Sequence, residues 1–501
     1  MAAPTVHVVD ELDAAAAAPR VAVGPGRPAE LEERRRDVHA GKLAIVVAVG
    51  IAIWLIPHPA AVAPRAWQLL AIFVATIVGL VTKPVPMGAV TFLALAVALA
   101  TQTLTLAEAL SGFANNTAWL IVTAFFIAAG FIRTGLGERI AYRLVSLFGG
   151  STLGLGYSLV GSDLVLAPMI PSNTARAGGV VYPILQSLTK TTINGDSESD
   201  CRAREFLTLA AYNGTCITSA MFLTSMVGNP LIQQLAGAQG IRISWGLWAL
   251  AASLPGALSL AIIPAVVYWM CARGSELGAD APQAARVALA RMGPMKRSER
   301  TMAAISILLL AAWILSSTIK LDPTASALIA VAALLVTGVI TWNDVAQHQE
   351  AWNSFIWFAT LVMMAGFLGS LGLIKWFTGE VGGSLGGVGW VAGFTGILLV
   401  YFYTHYFFAA GTAKIGAMYA PFLAVALALG TPPMLAALAL GFTSNLCASL
   451  THYGTACGPI LYGSGYASTA NWWKVGIVAS VINLVIWIGI GGLWWHLLGL
   501  W

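Results

Sequence analysis

Apolar runs close to the length a helix needs to cross a bilayer core of about 30 Å recur through this chain from Leu43 onward. Eleven predict membrane spans, near 43–57, 66–82, 86–101, 117–133, 206–235, 247–271, 301–318, 324–341, 354–373, 432–463 and 474–497. Two more apolar stretches are long enough to enter the membrane and return: 152–189, turning polar at Pro171-Ser172-Asn173-Thr174, and 388–429, turning at Ala409-Ala410-Gly411-Thr412. Each predicts a re-entrant hairpin with its tip at membrane depth, tolerated only where protein or a water-filled cavity satisfies the bared backbone. Two of the spans are themselves interrupted. Gly228-Asn229-Pro230 falls inside 206–235, and Gly454-Thr455-Ala456-Cys457-Gly458-Pro459 inside 432–463. Helix-breaking residues there predict broken helices whose N-terminal amides point inward as partial positive charge.

Composition agrees with this pattern. The 501 residues are 58% hydrophobic and 9% charged, with mean hydropathy +0.80, whereas soluble domains carry about 25% charged residues. The expected fold is an all-α polytopic membrane protein with about eleven transmembrane helices and two re-entrant hairpins; an ordinary soluble enzyme is excluded. The net charge of +5 is too small to suggest nucleic acid as a partner, and its distribution is topological. With a cytoplasmic N-terminus and hairpins that return to their side of origin, 20 of the 26 Lys and Arg residues fall on the cytoplasmic side, as the positive-inside rule requires. The C-terminus is then outside. Residues 1–42 predict a solvated cytoplasmic tail without a signal-peptide pattern. The five cysteines (Cys201, Cys216, Cys271, Cys447, Cys457) are spaced singly and are expected to be small apolar fillers, with no metal site.

Two basic residues, Arg176 and Lys414, stand apart from the topological count, just beyond the hairpin tips. They also expose a repeat. Ser172–Gly178 lines up with Ala410–Gly416, and Pro183 with Pro421, at one offset of 238; Ser219–Gly228 matches Ser449–Gly458 at an offset of 230. Duplication with an odd number of spans per copy predicts inverted repeats, 43–240 and 301–501, joined by a helix and a basic cytoplasmic loop at 241–300. Paired broken segments in inverted halves point to a binding site near the bilayer midplane.

The residues expected to form that site are Ser172, Asn173, Thr174 and Arg176 from the first tip, with Gly411, Thr412 and Lys414 from the second. The breaks contribute Thr224, Asn229, His452, Thr455 and Gly458. A charge at membrane depth costs about 2.5–3.5 kcal/mol on insertion scales, so a duplicated cation with Asp163 as the one obvious internal acid implies a dianionic ligand. Ser, Thr and Asn at a tip also cap the returning helix, and a cap that bares its amides is a place for a carboxylate. Thr215, Thr218 and Ser219 could simply return a bond to a carbonyl one turn back, and His405 could be a carbonyl-bonded core histidine. The tryptophans near the span ends serve as interfacial anchors. The glycines at 383–389 form a loop, since no strand precedes them for a phosphate cradle.

Segments 171–179 (PSNTARAGG), 218–224 (TSAMFLT), 403–414 (YTHYFFAAGTAK) and 444–455 (SNLCASLTHYGT) resemble the divalent anion/sodium symporter family. The resemblance is closest to its citrate:succinate and tartrate:succinate antiporters and plastidic 2-oxoglutarate/malate translocators. It implies a homodimer of eleven-helix protomers with an elevator-like transport domain. It also implies that the tip triplets fall on Ser172-Asn173-Thr174 and Ala410-Gly411-Thr412. Where sodium-coupled members hold sodium with tip oxygens, the second tip here lacks a Ser and an Asn, and Lys414 stands where antiporters commonly have His.

The expected function is sodium-independent antiport of C4 or C5 dicarboxylates (2-oxoglutarate, malate, succinate), with tartrate and citrate as further candidates. Arg176 and Lys414 take the place of two sodium ions, and an empty site with two bare cations recrosses slowly. Sodium-coupled symport by the same fold is the alternative. A channel is a third reading, and no catalytic pair in the spans supports an intramembrane enzyme. No cofactor is expected. The acidic residues of the tail argue against a transit peptide, which leaves a bacterial inner membrane.

Overall fold

The computed structural model describes residues 38–192, 197–275, 280–384 and 389–501. The tail up to residue 37 and residues 385–388 of the glycine-rich loop lie outside the described residues. Among the described residues the chain is all-helical. Helices α1 (Ala40–Leu55), α2 (Pro64–Thr82) and α3 (Met87–Ala100) are followed by short α4 (Leu106–Leu110), then α5 (Asn116–Thr134) and α6 (Leu136–Phe148). The first hairpin descends as α7 (Thr152–Leu166). It returns as α8 (Asn173–Arg176), a π-helical turn (Ala177–Val181) and α9 (Tyr182–Thr192). The broken helix α10 (Glu198–Met221) and α11 (Gly228–Gly237) leads to α12 (Trp245–Cys271) and α13 (Ala281–Met292).

The second half contains α14 (Arg297–Ile314), α15 (Ser316–Ile319), α16 (Pro323–Val336), α17 (Trp342–Ala346), α18 (Gln349–Ser370) and α19 (Leu373–Ser384). Its hairpin is α20 (Trp390–Tyr403), a 3-10 turn (Thr404–Phe407), α21 (Gly411–Lys414), a π turn (Ile415–Tyr419) and α22 (Ala420–Ala428). The second broken helix is α23 (Pro433–Leu446), a 3-10 turn (Cys447–Leu450) and α24 (Gly458–Tyr462). A last pair, α25 (Thr469–Leu484) and α26 (Gly491–Leu497), is joined by a π turn. Each of the eleven predicted spans contains a helix.

Local chemistry sets the ends. Thr105, Asn115, Ser151, Ser172, Ser197, Ser244, Asp322, Thr341 and Ser468 each cap a helix start by accepting a backbone N–H, satisfying donors that the first turn leaves free. Proline sits in the first turn of α2, α16, α23 and α24, where its missing N–H costs nothing. That preference moves the first break. The irregular stretch runs over 222–227, and Pro230 lies inside the first turn of α11. It therefore starts the second half of the broken helix and does not sit in the gap.

Burial separates the helices by role. All of α10 from Phe206 to Met221 is buried, and 89% of the residues over Pro433–Leu450 are buried, so both interrupted helices lie at the centre with no polar face to solvate. In contrast α1 has no buried residue although it is strongly apolar, and Leu55, Phe92, Ile307, Leu308 and Val336 are exposed. Large apolar side chains in that number on the outside of a bundle fit a hydrocarbon solvent. Ion pairs gather near helix ends. Arg139 grips Glu299 with two bonds of 3.1 Å, Arg133 pairs with Asp344, and Arg65 pairs with Glu108. The Arg65 guanidinium, helped by the Thr105 backbone N–H and hydroxyl, holds the Glu108 carboxyl down to about 2.

Candidate functional site

The first tip is built around a neutralised arginine. Ser172 caps the returning arm by accepting the Ala175 N–H at 3.1 Å and donates its own proton to Glu350 Oε1 at 3.1 Å. Asn173 Nδ2 donates to Thr455 Oγ1 at 2.8 Å, reaching across to the second break. Arg176 is fully buried. Its Nε donates to Asp163 Oδ1 at 3.0 Å, its Nη1 to the carbonyls of Ile170, at 2.7 Å, and Ser225, and its Nη2 to Ser219 Oγ at 2.9 Å. The other Asp163 oxygen accepts from Thr218 Oγ1.

This corrects the expectation of two uncompensated cations. Arg176 has a carboxylate and three further acceptors, all internal, so its role is to tie the returning arm to α7 and to the first break. Thirteen residues separate Arg176 from Asp163, which the turn at the tip brings side by side. A buried guanidinium is stable only when its fork is filled in this way.

At the second tip the same backbone carries different chemistry. Ala410 offers no side-chain cap. Lys414 is fully buried; its Nζ lies 3.1 Å from Cys447 Sγ and 4.3 Å from the centre of the Tyr401 ring. Cys447 Sγ in turn lies 3.4 Å from the Ser444 carbonyl, and Tyr401 Oη is 2.7 Å from Ser444 Oγ. Among the described residues no carboxylate reaches Lys414 within ion-pair distance. His405 is buried with Nε2 2.8 Å from the Gly454 carbonyl, and its Nδ1, like Asn445 Oδ1 and Thr451 Oγ1, has no hydrogen-bond partner among the described residues.

The breaks hold the tips together. Asn229 Nδ2 donates to the carbonyls of Ser219 and Phe222 at 2.7 and 2.8 Å, and its Oδ1 accepts from Asn445 Nδ2 at 2.7 Å, joining one break to the other. Thr224 donates to the Pro168 carbonyl at 2.7 Å and accepts from Trp245 Nε1 at 3.1 Å. Gly458 must be glycine, because a Cβ there would lie 2.3 Å from the His452 carbonyl oxygen. His452 is set aside from this centre: its ring stacks on Tyr462 at 4.4 Å, and Trp473 Nε1 lies 3.4 Å from its Nδ1.

The four predicted pieces therefore meet, through Asn173 with Thr455, Arg176 with Ser225, Asn229 with Asn445 and Lys414 with Cys447. Thr174 and Thr412 are half-buried at matching places on the two tips. Asp163, Tyr401, Ser444, Cys447 and Glu350 complete the surroundings. Of these only Asp163 stood out in the sequence; Cys447 passed for an apolar filler, and Glu350 lies just ahead of the apolar run that marks its helix.

Apart from the tips, a crevice of about 740 Å³ lies between α5, α11 and α18, with Asn116, Gln234, Arg242 and Asp322 among its lining residues. Gln234 bridges Asn115 and Thr117 there, and no tip residue lines this crevice.

The family model described as the sodium:sulfate symporter transmembrane region matches residues 37–501. This chain belongs to the divalent anion/sodium symporter family. It is 49% identical over 463 residues to the putative malate transporter YflS of Bacillus subtilis, covering 92% of this chain and 96% of that one. It is 46% identical over 459 residues to dicarboxylate transporter 1, chloroplastic, of Arabidopsis thaliana, covering 91% and 82%. With inner membrane protein YbhI of Escherichia coli it shares 38% over 466 residues, covering 91% and 97%. Among solved structures, the YdaH transporter of Alcanivorax borkumensis superposes with a TM-score of 0.53 at 13% identity, covering 91% of this chain and 96% of that one. At that identity the likeness speaks for a shared fold alone.

Proposed function

We propose that this chain is a secondary active transporter that exchanges C4 and C5 dicarboxylates, such as malate, succinate and 2-oxoglutarate, without sodium. The observation that carries the reading is Lys414, a cation buried at the second tip with a sulfur and an aromatic face for company and, among the described residues, no acid in ion-pair distance. A buried charge needs a counter-charge, and an anion reaching the junction of the four segments would supply it. The Thr174 and Thr412 hydroxyls and the amides of the returning arms would orient the carboxylates. The names of the relatives, malate transporter and dicarboxylate transporter, support the substrate class.

Exchange follows from the same charge. A loaded site pairs Lys414 with one carboxylate and leaves the other to the hydroxyls and amides of the tips, whereas an unloaded one leaves the ammonium bare against a low-dielectric barrier and returns slowly. Arg176 adds nothing to that barrier, since Asp163 travels with it. Sodium independence rests on the second tip, where Ala410 and Gly411 remove the oxygens a sodium ion would need. The first tip keeps Ser172, Asn173 and Thr174, which favours sodium-coupled symport as the second reading.

Under this proposal the halves 43–240 and 301–501 are inverted copies. In support, α8 and α21 start 238 residues apart (411 − 173), each four residues before a π turn. Helices α11 and α24 both start on glycine, 230 apart (458 − 228). We place the homodimer in a bacterial inner membrane, N-terminus inside, with the hairpin domain moving as an elevator. Proteoliposomes test the function directly. Radiolabelled malate should enter vesicles preloaded with malate, succinate or 2-oxoglutarate and not empty ones, with or without a sodium gradient. Rapid uptake into empty vesicles, or a sodium requirement, would replace exchange with symport.

A further inference from the structure

Glu350 occupies a position that its own helix does not explain. It lies in the first turn of α18, where an acidic side chain ordinarily serves the free amides of the helix start, but that role falls to His348, whose Nδ1 accepts the Ala351 N–H at 3.3 Å. The Glu350 side chain instead leaves its helix and places Oε1 3.1 Å from Ser172 Oγ, on the tip of the first hairpin. Ser172 is the residue that caps the returning arm, through the Ala175 N–H. The acids at Asp163, Glu108, Glu299 and Asp344 each face an arginine. Glu350 is in none of these pairs, and it is exposed. It is a carboxylate held by the hydroxyl at the end of a hairpin that, on the dicarboxylate reading, itself binds carboxylates.

We infer that Glu350 is a tethered competitor: it occupies the Ser172 end of the site in the unloaded carrier and must be expelled before a dicarboxylate can bind. A site engaged by an internal ligand for most of the time shows an apparent affinity lowered by the fraction that is free. Glu350 thus sets substrate affinity from outside the hairpin, and because α18 is a separate element from the hairpin, the contact also ties the empty tip to its neighbour. Loading breaks that tie. The inference rests on the dicarboxylate reading and adds to it a specificity-determining residue.

Malate binding to the purified full-length protein, measured by titration calorimetry, tests the inference. Glu350→Gln removes the charge, and Glu350→Asp keeps it but is one methylene too short for the same contact. Both should bind malate about three- to ten-fold more tightly than the parent, and neither should gain further in a Ser172→Ala background, as a double-mutant cycle reports. Unchanged or weaker binding by Glu350→Gln overturns the inference. So does parent-like affinity in Glu350→Asp alongside a gain in Glu350→Gln, which would mark the effect as through-space charge with no occupation of Ser172. Absence of malate, succinate and 2-oxoglutarate binding in every form is a different result: it overturns the dicarboxylate reading itself and the inference with it.

Discussion

The two hairpin tips follow one backbone path and solve opposite problems. Each returning arm starts with a single helical turn ending in a basic residue and passes directly into a π turn. At the first tip the cation is Arg176, whose planar fork finds Asp163, Ser219 and two carbonyls. At the second it is Lys414, which meets one sulfur and one ring. A guanidinium can be used up by a structure, because five donors in a fixed plane match several acceptors at once; an ammonium is a point charge that a single counter-ion satisfies. One tip is therefore finished by the protein, and the other, under the proposed function, by a ligand.

The largest effect expected from breaking this contrast lies at the first tip. Arg176→Ala or Asp163→Asn leaves a buried charge without its partner, at a cost of about 3–5 kcal/mol. Removing both together as Arg176→Met with Asp163→Leu should cost much less than the two single changes added. Thermal unfolding in detergent, followed by tryptophan fluorescence, reads this; a sum of single effects in the double variant would mean that the two side chains act independently.

Lys414→Met should do the reverse. Removing a charge that the protein does not neutralise should leave the unfolding midpoint unchanged or raised, while malate binding weakens by about 2–5 kcal/mol, the usual loss when one side of a buried charge pair is truncated. A variant that unfolds yet still exchanges malate would exchange the roles of the two tips.

These differences mark how far the sequence could be read. Spans, hairpins and breaks were legible because each is a change in apolar run length or a Gly-Pro interruption, both local signals. The pairing of Arg176 with Asp163 was not, since it depends on how the two arms of the hairpin align across a turn. With Asp163 the one obvious internal acid for two cations, composition could not say which cation owned it. Cys447 and Tyr401 were hidden for the same reason: an apolar-looking residue acquires an electrostatic role only when packing places it against Lys414. Glu350 was hidden by its own position, since an acid ahead of an apolar run reads as a solvated helix end. Of the glycine-rich stretch at 383–389, which reads as a loop, Gly383 falls in the last turn of α19 and residues 385–388 lie outside the described residues.

The smallest expected effect sharpens the comparison most cleanly, because it touches neither cation. Ser172 caps its arm and Ala410, at the matching place, caps nothing. Both have extended backbone angles, with φ −111° and −149°, as an N-cap requires. Ser172→Ala should therefore cost about 1 kcal/mol of stability and, because it removes the hydroxyl that Glu350 and the ligand compete for, leave malate affinity with no dependence on Glu350. Ala410→Ser should recover a similar or smaller amount at the second tip, since its backbone already adopts the angles of a cap. If the serine at 410 stabilises the fold while leaving malate affinity unchanged, capping and substrate contact are separable functions of a tip residue. If it weakens malate binding instead, the bare amides at Thr412 and Ala413 are themselves part of what holds the anion, and the absence of a cap at the second tip is the feature that opens the site to its ligand.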